Sequence, residues 1–120
     1  MKVGAFLSGG IDSSSVVQSI KNYIYSDNLN TFSVGFEGKW DESHYINLVK
    51  DYFKTNHHHY YFNKEDYEDI DSFYHEIYDE PFADYSSYPT YFLSKKARKH
   101  VTVCLSGDGG DELFGGYNKY

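Results

Sequence analysis

Cysteine is almost missing from this chain. Cys104 is the only one in 120 residues, so no internal disulfide framework can form. Positive charge is scarce as well. Lys and Arg number 11 against 18 Asp and Glu, Arg98 is the single arginine, and the formal net charge is −7. That balance excludes the basic stripe demanded by duplex nucleic acid or an anionic membrane surface. The one short cluster of cations, Lys95, Lys96, Arg98 and Lys99, reads as a solvated helix face. There is no signal-like start and no long apolar run, so no membrane partner is expected and the cytoplasm is the expected location. An acidic chain that holds a polyanion must draw on a metal ion, or on basic groups from elsewhere.

Aromatic residues are plentiful. They make up 20% of the chain, with 14 Tyr and 9 Phe. Tyrosine buries its ring and keeps its hydroxyl wet, so a mean hydropathy of −0.66 is compatible with a packed core. The length fits one domain or part of one.

The apolar pattern alternates between strand and helix. Residues 3–7 form a short apolar run that stops at Ser-Gly-Gly, as a buried strand entering a turn does. From Ser13 the period becomes helical, with Val16, Val17, Ile20, Tyr23 and Ile24 on one stripe, closed by Ser26-Asp27-Asn28. Thr31 to Phe36 is a second strand, and Gly35 and Gly38 open the loop after it. Asp41 is placed to N-cap a second helix whose apolar face is Tyr45, Leu48, Val49, Tyr52 and Phe53. His57 to Phe62 is a third strand. Asn63 and Asp66 mark a helix start, followed by a stripe of Ile70, Phe73, Tyr74, Ile77 and Tyr78 that Pro81 ends. Pro89 opens a further helix to about Lys99, and Val101 to Leu105 is a fourth strand. The expected class is α/β: a doubly wound parallel sheet of about four to five strands, with helices on both faces.

Two of these strands end alike, in Leu7-Ser8-Gly9 and Leu105-Ser106-Gly107. Open α/β sheets bind ligands outside the carboxyl ends of strands, where strand order reverses. Glycine lets backbone amides approach phosphate, and a helix N-terminus at Ser13 favours negative charge. The loop at 8–13, Ser-Gly-Gly-Ile-Asp-Ser, lacks the lysine of a Walker A loop and the spacing of a dinucleotide fingerprint. Asp12 would repel phosphate unless it helps to hold Mg²⁺, which suits departure of pyrophosphate as a magnesium complex. An ordinary strand-to-helix turn is the plain alternative, and the second Ser-Gly loop counts against it. Solvated turn acids are the plain alternative for Asp108 and Asp111. Of the three consecutive histidines, only His57 and His59 share a face, and an ordinary strand is favoured over a metal site. Cys104 reads as a small buried hydrophobe. Asp79, Glu80 and Asp84 either line a cleft or cap helices.

The loop at 8–13 resembles the PP-loop of the N-type ATP pyrophosphatases. The block Leu105-Ser106-Gly107-Asp108-Gly109-Gly110-Asp111-Glu112-Leu113-Phe114-Gly115-Gly116-Tyr117 is similar to the signature of the asparagine synthetase family. Thr31 to Phe36, Asp79 to Asp84 and Pro89-Thr90-Tyr91 match family segments in the same order. The resemblance implies an adenine nucleotide alpha-hydrolase-like fold and ATP-dependent conversion of aspartate to asparagine through β-aspartyl-AMP. It implies ATP and Mg²⁺ as cofactors and aspartate and glutamine-derived ammonia as partners, and it allows a homodimer through a longer parent protein. It places the backbone of Leu7, Val34 and Gly107, next to Ser106, against adenosine. It gives Ser8, Gly9, Gly10, Asp12 and Ser13 the pyrophosphate, with Asp12 on the metal. Asp108 falls near the reacting aspartyl group, and Asp111 at the substrate's α-amino group. Residues 1–120 are expected to be a partial ATP-binding domain, without a glutaminase domain before them or the second half of the synthetase domain after them. Two other readings stay open: a related enzyme that amidates a sugar or peptide carboxylate, and a catalytically silent nucleotide-binding fragment.

Overall fold

A computed structural model describes residues 1–23, 28–36, 43–80 and 84–117. The elements run β1 (Val3–Phe6), α1 (Ile11–Tyr23), β2 (Asn30–Phe36), α2 (Ser43–Phe53), β3 (Asn56–Phe62), α3 (Lys64–Asp71), α4 (Tyr74–Ile77), α5 (Ser87–Ala97), β4 (Val103–Leu105) and α6 (Gly110–Phe114). The strands form one parallel sheet in the order β3-β2-β1-β4. The chain winds outward from β1 to β3, then crosses back to place β4 on the other side of β1. The order therefore reverses between β1 and β4, at the two strands that end in Ser-Gly. Among the described residues no helix is long and apolar enough to cross a membrane.

Strand alternation sends side chains to two cores. Ala5 and Leu7 of β1 pack with Val17 and Ile20 of α1, Leu29, and Ile46 of α2. Phe32 of β2 packs on the other face with Leu93, Ala97 and Val101, and Phe62, Ile70 and Phe92 extend that layer. Helices thus cover both faces, as the sequence pattern requires.

Three helical details differ from the sequence expectation. In α1 the buried stripe is Ser13, Val17 and Ile20. Tyr23 falls off the end of it and is 87% exposed, and Ile24 lies outside the described residues. In α2 the buried residue is Ile46, with Val49 and Phe53 packed beside it. Tyr45, Leu48 and Tyr52 face outward. Two apolar stripes with the same i, i+3, i+7 spacing lie side by side on this helix, so periodicity alone cannot choose between them. The expected caps and loop residues at 26–27, 38, 41 and 81 also lie outside the described residues.

The third difference is a break in the stripe of residues 70–78. Asn63 and Asp66 do form a reciprocal capping box at the start of α3. The helix then stops at Ser72, whose hydroxyl donates to the Asp69 carbonyl at 2.6 Å, and Phe73 leaves helical geometry. A separate short turn, α4, carries Tyr74 to Ile77.

A polar ladder runs along the face of the sheet that carries α1 and α2. Thr31 and Ser33 of β2 are buried there. The Thr31 hydroxyl meets Thr55 Oγ1 and His57 Nδ1, both at 2.9 Å. The Ser33 hydroxyl meets His57 Nε2 at 2.9 Å and His59 Nδ1 at 2.6 Å. Burial, then the neighbouring His59, Lys50 and His58, lower the His57 pKa to about 4. The unfolded chain then binds the proton that the folded chain refuses. Stability is full above the ordinary histidine pKa, falls as pH drops from about 6.5 to 4, and levels off below that. After allowance for solvent screening the loss is about 1–2 kcal/mol. Urea unfolding at pH 7.5 and pH 4.5 checks it, and a His57→Gln protein is expected to show a flatter pH dependence.

Candidate functional site

The first loop is shaped by its own serines. Ser8 N–H donates to Ser13 Oγ at 3.2 Å, and the Ser13 hydroxyl lies 3.2 Å from the Gly10 carbonyl and 3.1 Å from Ser8 Oγ. Ser14 Oγ–H donates to the same Gly10 carbonyl at 2.7 Å. These bonds fold residues 8–10 over the first turn of α1. Gly9 has φ +85°, and a Cβ there would lie 2.9 Å from Tyr45 Cβ and 3.2 Å from Ile46 N. A residue other than glycine meets strain and the start of α2 together.

The second loop presses against the first. A Cβ on Gly107 would sit 2.9 Å from Ser13 N and 3.1 Å from Asp12 Cβ, and one on Gly110 would sit 2.5 Å from Asp12 Cγ. The glycines of the second loop leave the room that Asp12 and Ser13 occupy. Ser106 Oγ–H donates to Asp108 Oδ2 at 2.9 Å, which orients that carboxylate. Asp111 stands in the first turn of α6 with its carboxylate packed against Gly116.

Both loops open on one cavity of about 1390 Å³. Leu7, Ser8, Gly10, Asp12, Ser13, Val34, Ser106, Gly107, Asp108 and Asp111 all line it. Gly9 alone of the expected site residues supports it from behind. Val34 is placed by the unequal strand lengths. The β1–β2 ladder ends where Leu7 N–H donates to the Phe32 carbonyl at 2.8 Å, while β2 runs on beside β3 to Phe36. Alternation points the Val34 backbone the same way as that of Phe32, into the space β1 has left.

Among the described residues, no group of three or more His, Cys, Asp or Glu is arranged to hold a metal ion. Asp12 offers one carboxylate, and it lines the cavity together with Ser8 and Ser13. Mg²⁺ is commonly held by one or two carboxylates together with phosphate oxygens and water, so this donor set fits a magnesium that arrives with a phosphate ligand. His57 has both ring nitrogens engaged by hydroxyls.

Several neighbouring residues sort out differently. The Asp84 carboxylate accepts the Ser86 N–H and hydroxyl, both at 2.8 Å, which hold its pKa below the usual carboxylate value. Asp84 therefore shapes the entry to α5. Asp79 and Glu80 are exposed and stay off the cavity wall. Cys104 is packed against the α5 layer, and burial pushes its pKa to about 12. A thiol-specific disulfide reagent at pH 8 is expected to label it slowly in the native protein and quickly once urea unfolds the chain. Rapid labelling of the native protein would contradict this. The outer wall of the cavity was not foreseen from the sequence. His59 and Tyr61 of β3, Tyr67 of α3 and Tyr88 of α5 line it, with Tyr67 and Tyr88 stacked at 4.5 Å. Period-two alternation along β3 was the available signal, since it puts residues 57, 59 and 61 on one face.

Comparison with known proteins gives this geometry a family. The asparagine synthase family model matches residues 1–120. The chain belongs to the asparagine synthase family. A putative glutamine-hydrolyzing asparagine synthetase 2 of Methanocaldococcus jannaschii is 63% identical over 115 residues, which is 96% of this chain and 22% of that protein. The glutamine-hydrolyzing asparagine synthetase 1 of Bacillus subtilis is 44% identical over 127 residues, 98% of this chain and 18% of that protein. The chain spans about a fifth of the length of these relatives. The four-stranded parallel sheet with helices on both faces is the α/β doubly wound arrangement expected from the sequence.

Proposed function

We propose that this chain is the nucleotide-holding part of an asparagine synthetase, one that forms asparagine from aspartate, ammonia and ATP with release of AMP and pyrophosphate. One observation carries the proposal: two Ser-Gly loops, at the ends of β1 and β4, meet at the switch point with Asp12 between them. The names of the relatives support the same reading.

The residues divide the work by position. Amides of the loop at 8–13 and the N-terminus of α1 would neutralise the phosphate oxygens. Asp12 would hold Mg²⁺ with the pyrophosphate, which lowers the charge on the leaving group. The Val34 backbone and the Leu7 and Gly107 walls would seat adenosine. Asp111 would take the substrate's α-ammonium as a carboxylate partner. Asp108, held by Ser106, would lie beside the reacting side-chain carboxylate. A carboxylate oxygen of aspartate displaces pyrophosphate from the α-phosphorus. Ammonia then attacks the acyl carbon, and AMP leaves with that oxygen.

The test uses the full-length protein with aspartate, ammonia and Mg-ATP. AMP and pyrophosphate are expected in equal amounts with asparagine. ADP and phosphate would overturn the proposal. Pyrophosphate release that needs another carboxylate in place of aspartate would move the enzyme to the related sugar or peptide amidating class.

A further inference from the structure

His59 is held more tightly than an exposed strand residue needs to be. Its Nδ1 lies 2.6 Å from the buried Ser33 hydroxyl. Its ring stands edge-on to Tyr61, with centroids 4.7 Å apart at 85°. Its Nε2 lies over Gly35, where a Cβ would come within 2.8 Å. Glycine at 35 is what lets the ring lie there. Among the described residues, no hydrogen bond engages Nε2. The ring lines the cavity on the face of the sheet that carries α1 and the loop at 8–13. Gly35 directly follows Val34, the residue whose backbone faces the same cavity.

The hydrogen-bond chain behind the ring fixes its orientation. His57 is neutral at neutral pH, because burial holds its pKa near 4. One of its nitrogens must then donate while the other accepts. Ser33 has one proton to share between His57 Nε2 and His59 Nδ1. Of the two ring nitrogens of His59, Nδ1 is thereby committed to the protein, and Nε2 is left for whatever enters the cavity. Fixing an exposed side chain in one rotamer costs side-chain entropy, which a ligand contact would offset.

We propose that His59 is a ligand-contacting residue of this pocket, with Nε2 hydrogen-bonded to the nucleoside seated at Val34 and Nδ1 held by Ser33. The proposal rests on the ATP reading of the cavity. It assigns His59 to the nucleoside end and not to the phosphates, which belong to the loop at 8–13.

Calorimetry on the full-length protein tests it with two probes, Mg-ATP and magnesium tripolyphosphate, which lacks a nucleoside. His59→Ala is expected to weaken Mg-ATP about tenfold, the size of one hydrogen bond, and to leave tripolyphosphate unchanged. Two further variants separate the ring nitrogens. His59→Asn keeps an atom near Nδ1 and is expected to bind ATP as weakly as His59→Ala. His59→Gln keeps an atom near Nε2 and is expected to recover most of the affinity. In the wild-type protein, the ¹⁵N signal of His59 Nε2 is expected to shift with Mg-ATP and to stay in place with tripolyphosphate. Wild-type ATP affinity in His59→Ala, or equal loss for both probes, would overturn the role of His59 while the ATP reading stands. Failure of the wild-type protein to bind either probe would overturn both.

Discussion

A Gly107→Val protein is expected to lose Mg-ATP affinity by about a hundredfold while its sheet stays folded. The loss follows from what surrounds the missing side chain. A Cβ at 107 would meet Ser13 N at 2.9 Å, Asp12 Cβ at 3.1 Å and Asp12 C at 3.2 Å. Two of these are backbone atoms in the first turn of α1, and a helix start cannot rotate aside as a side-chain tip can. One loop must therefore move by a fraction of an ångström or more. Loss of about two hydrogen bonds to phosphate, each about 1.5 kcal/mol, costs on the order of a hundredfold in affinity. Gly110→Ala makes a useful contrast. Its nearest neighbour is the Asp12 carboxylate, 2.5 Å from the added Cβ, which can swing away. That variant is expected to bind tripolyphosphate without metal as before and to lose the benefit of added Mg²⁺. Calorimetry with and without Mg²⁺, beside a thermal melt, reads both effects. Near-wild-type affinity in Gly107→Val would mean that the two loops do not act as one site.

The second large effect concerns stability. Phe32 is fully buried at the centre of the sheet. Its ring stacks on His58 at 5.1 Å and 15°, and lies 5.7 Å from His100. Leu93, Ala97 and Val101 close the other sides. Phe32→Ala removes the contact that joins β2 to α5, and the parallel strands hold their neighbours too rigidly to fill the gap. A loss of about 3–5 kcal/mol is expected. Against a domain stability of about 5–15 kcal/mol, that leaves a chain that is marginal or unfolded. A fall in the urea midpoint with an unchanged slope is the expected record. Because β2 also carries Val34, nucleotide affinity should fall together with stability. An unchanged midpoint would show that the α5 layer is not the core described above.

The site was more legible in the sequence than its surroundings, for a physical reason. The loops proposed to hold phosphate are short local motifs. Ser8 to Ser13 and Ser106 to Asp111 are each nearly contiguous, and both stand directly after apolar runs. Their meeting follows from one topological rule, that β4 crosses back beside β1. Packing choices were less legible because they depend on distant partners. Ile46 rather than Tyr45 is buried because it packs with Ala5, Leu7, Val17 and Ile20 of distant elements, which no helical period reveals. The helix break after Ser72 falls inside an apolar stripe that runs on through it, so periodicity gives no sign of it. The ladder of Thr31, Ser33 and His57 was hidden for a third reason. A strand rich in histidine and tyrosine looks half-exposed, and only pairing with β2 supplies the hydroxyls that satisfy it.

In the proposed function, the paired loops direct attack on the α-phosphorus of ATP. Aspartate labelled with ¹⁸O in its side-chain carboxylate tests it most directly. The full-length protein, supplied with this substrate, ammonia and Mg-ATP, should transfer one ¹⁸O to the phosphate of AMP, seen as a two-dalton shift by mass spectrometry. Recovery of the label in inorganic phosphate, with AMP unlabelled, would contradict it.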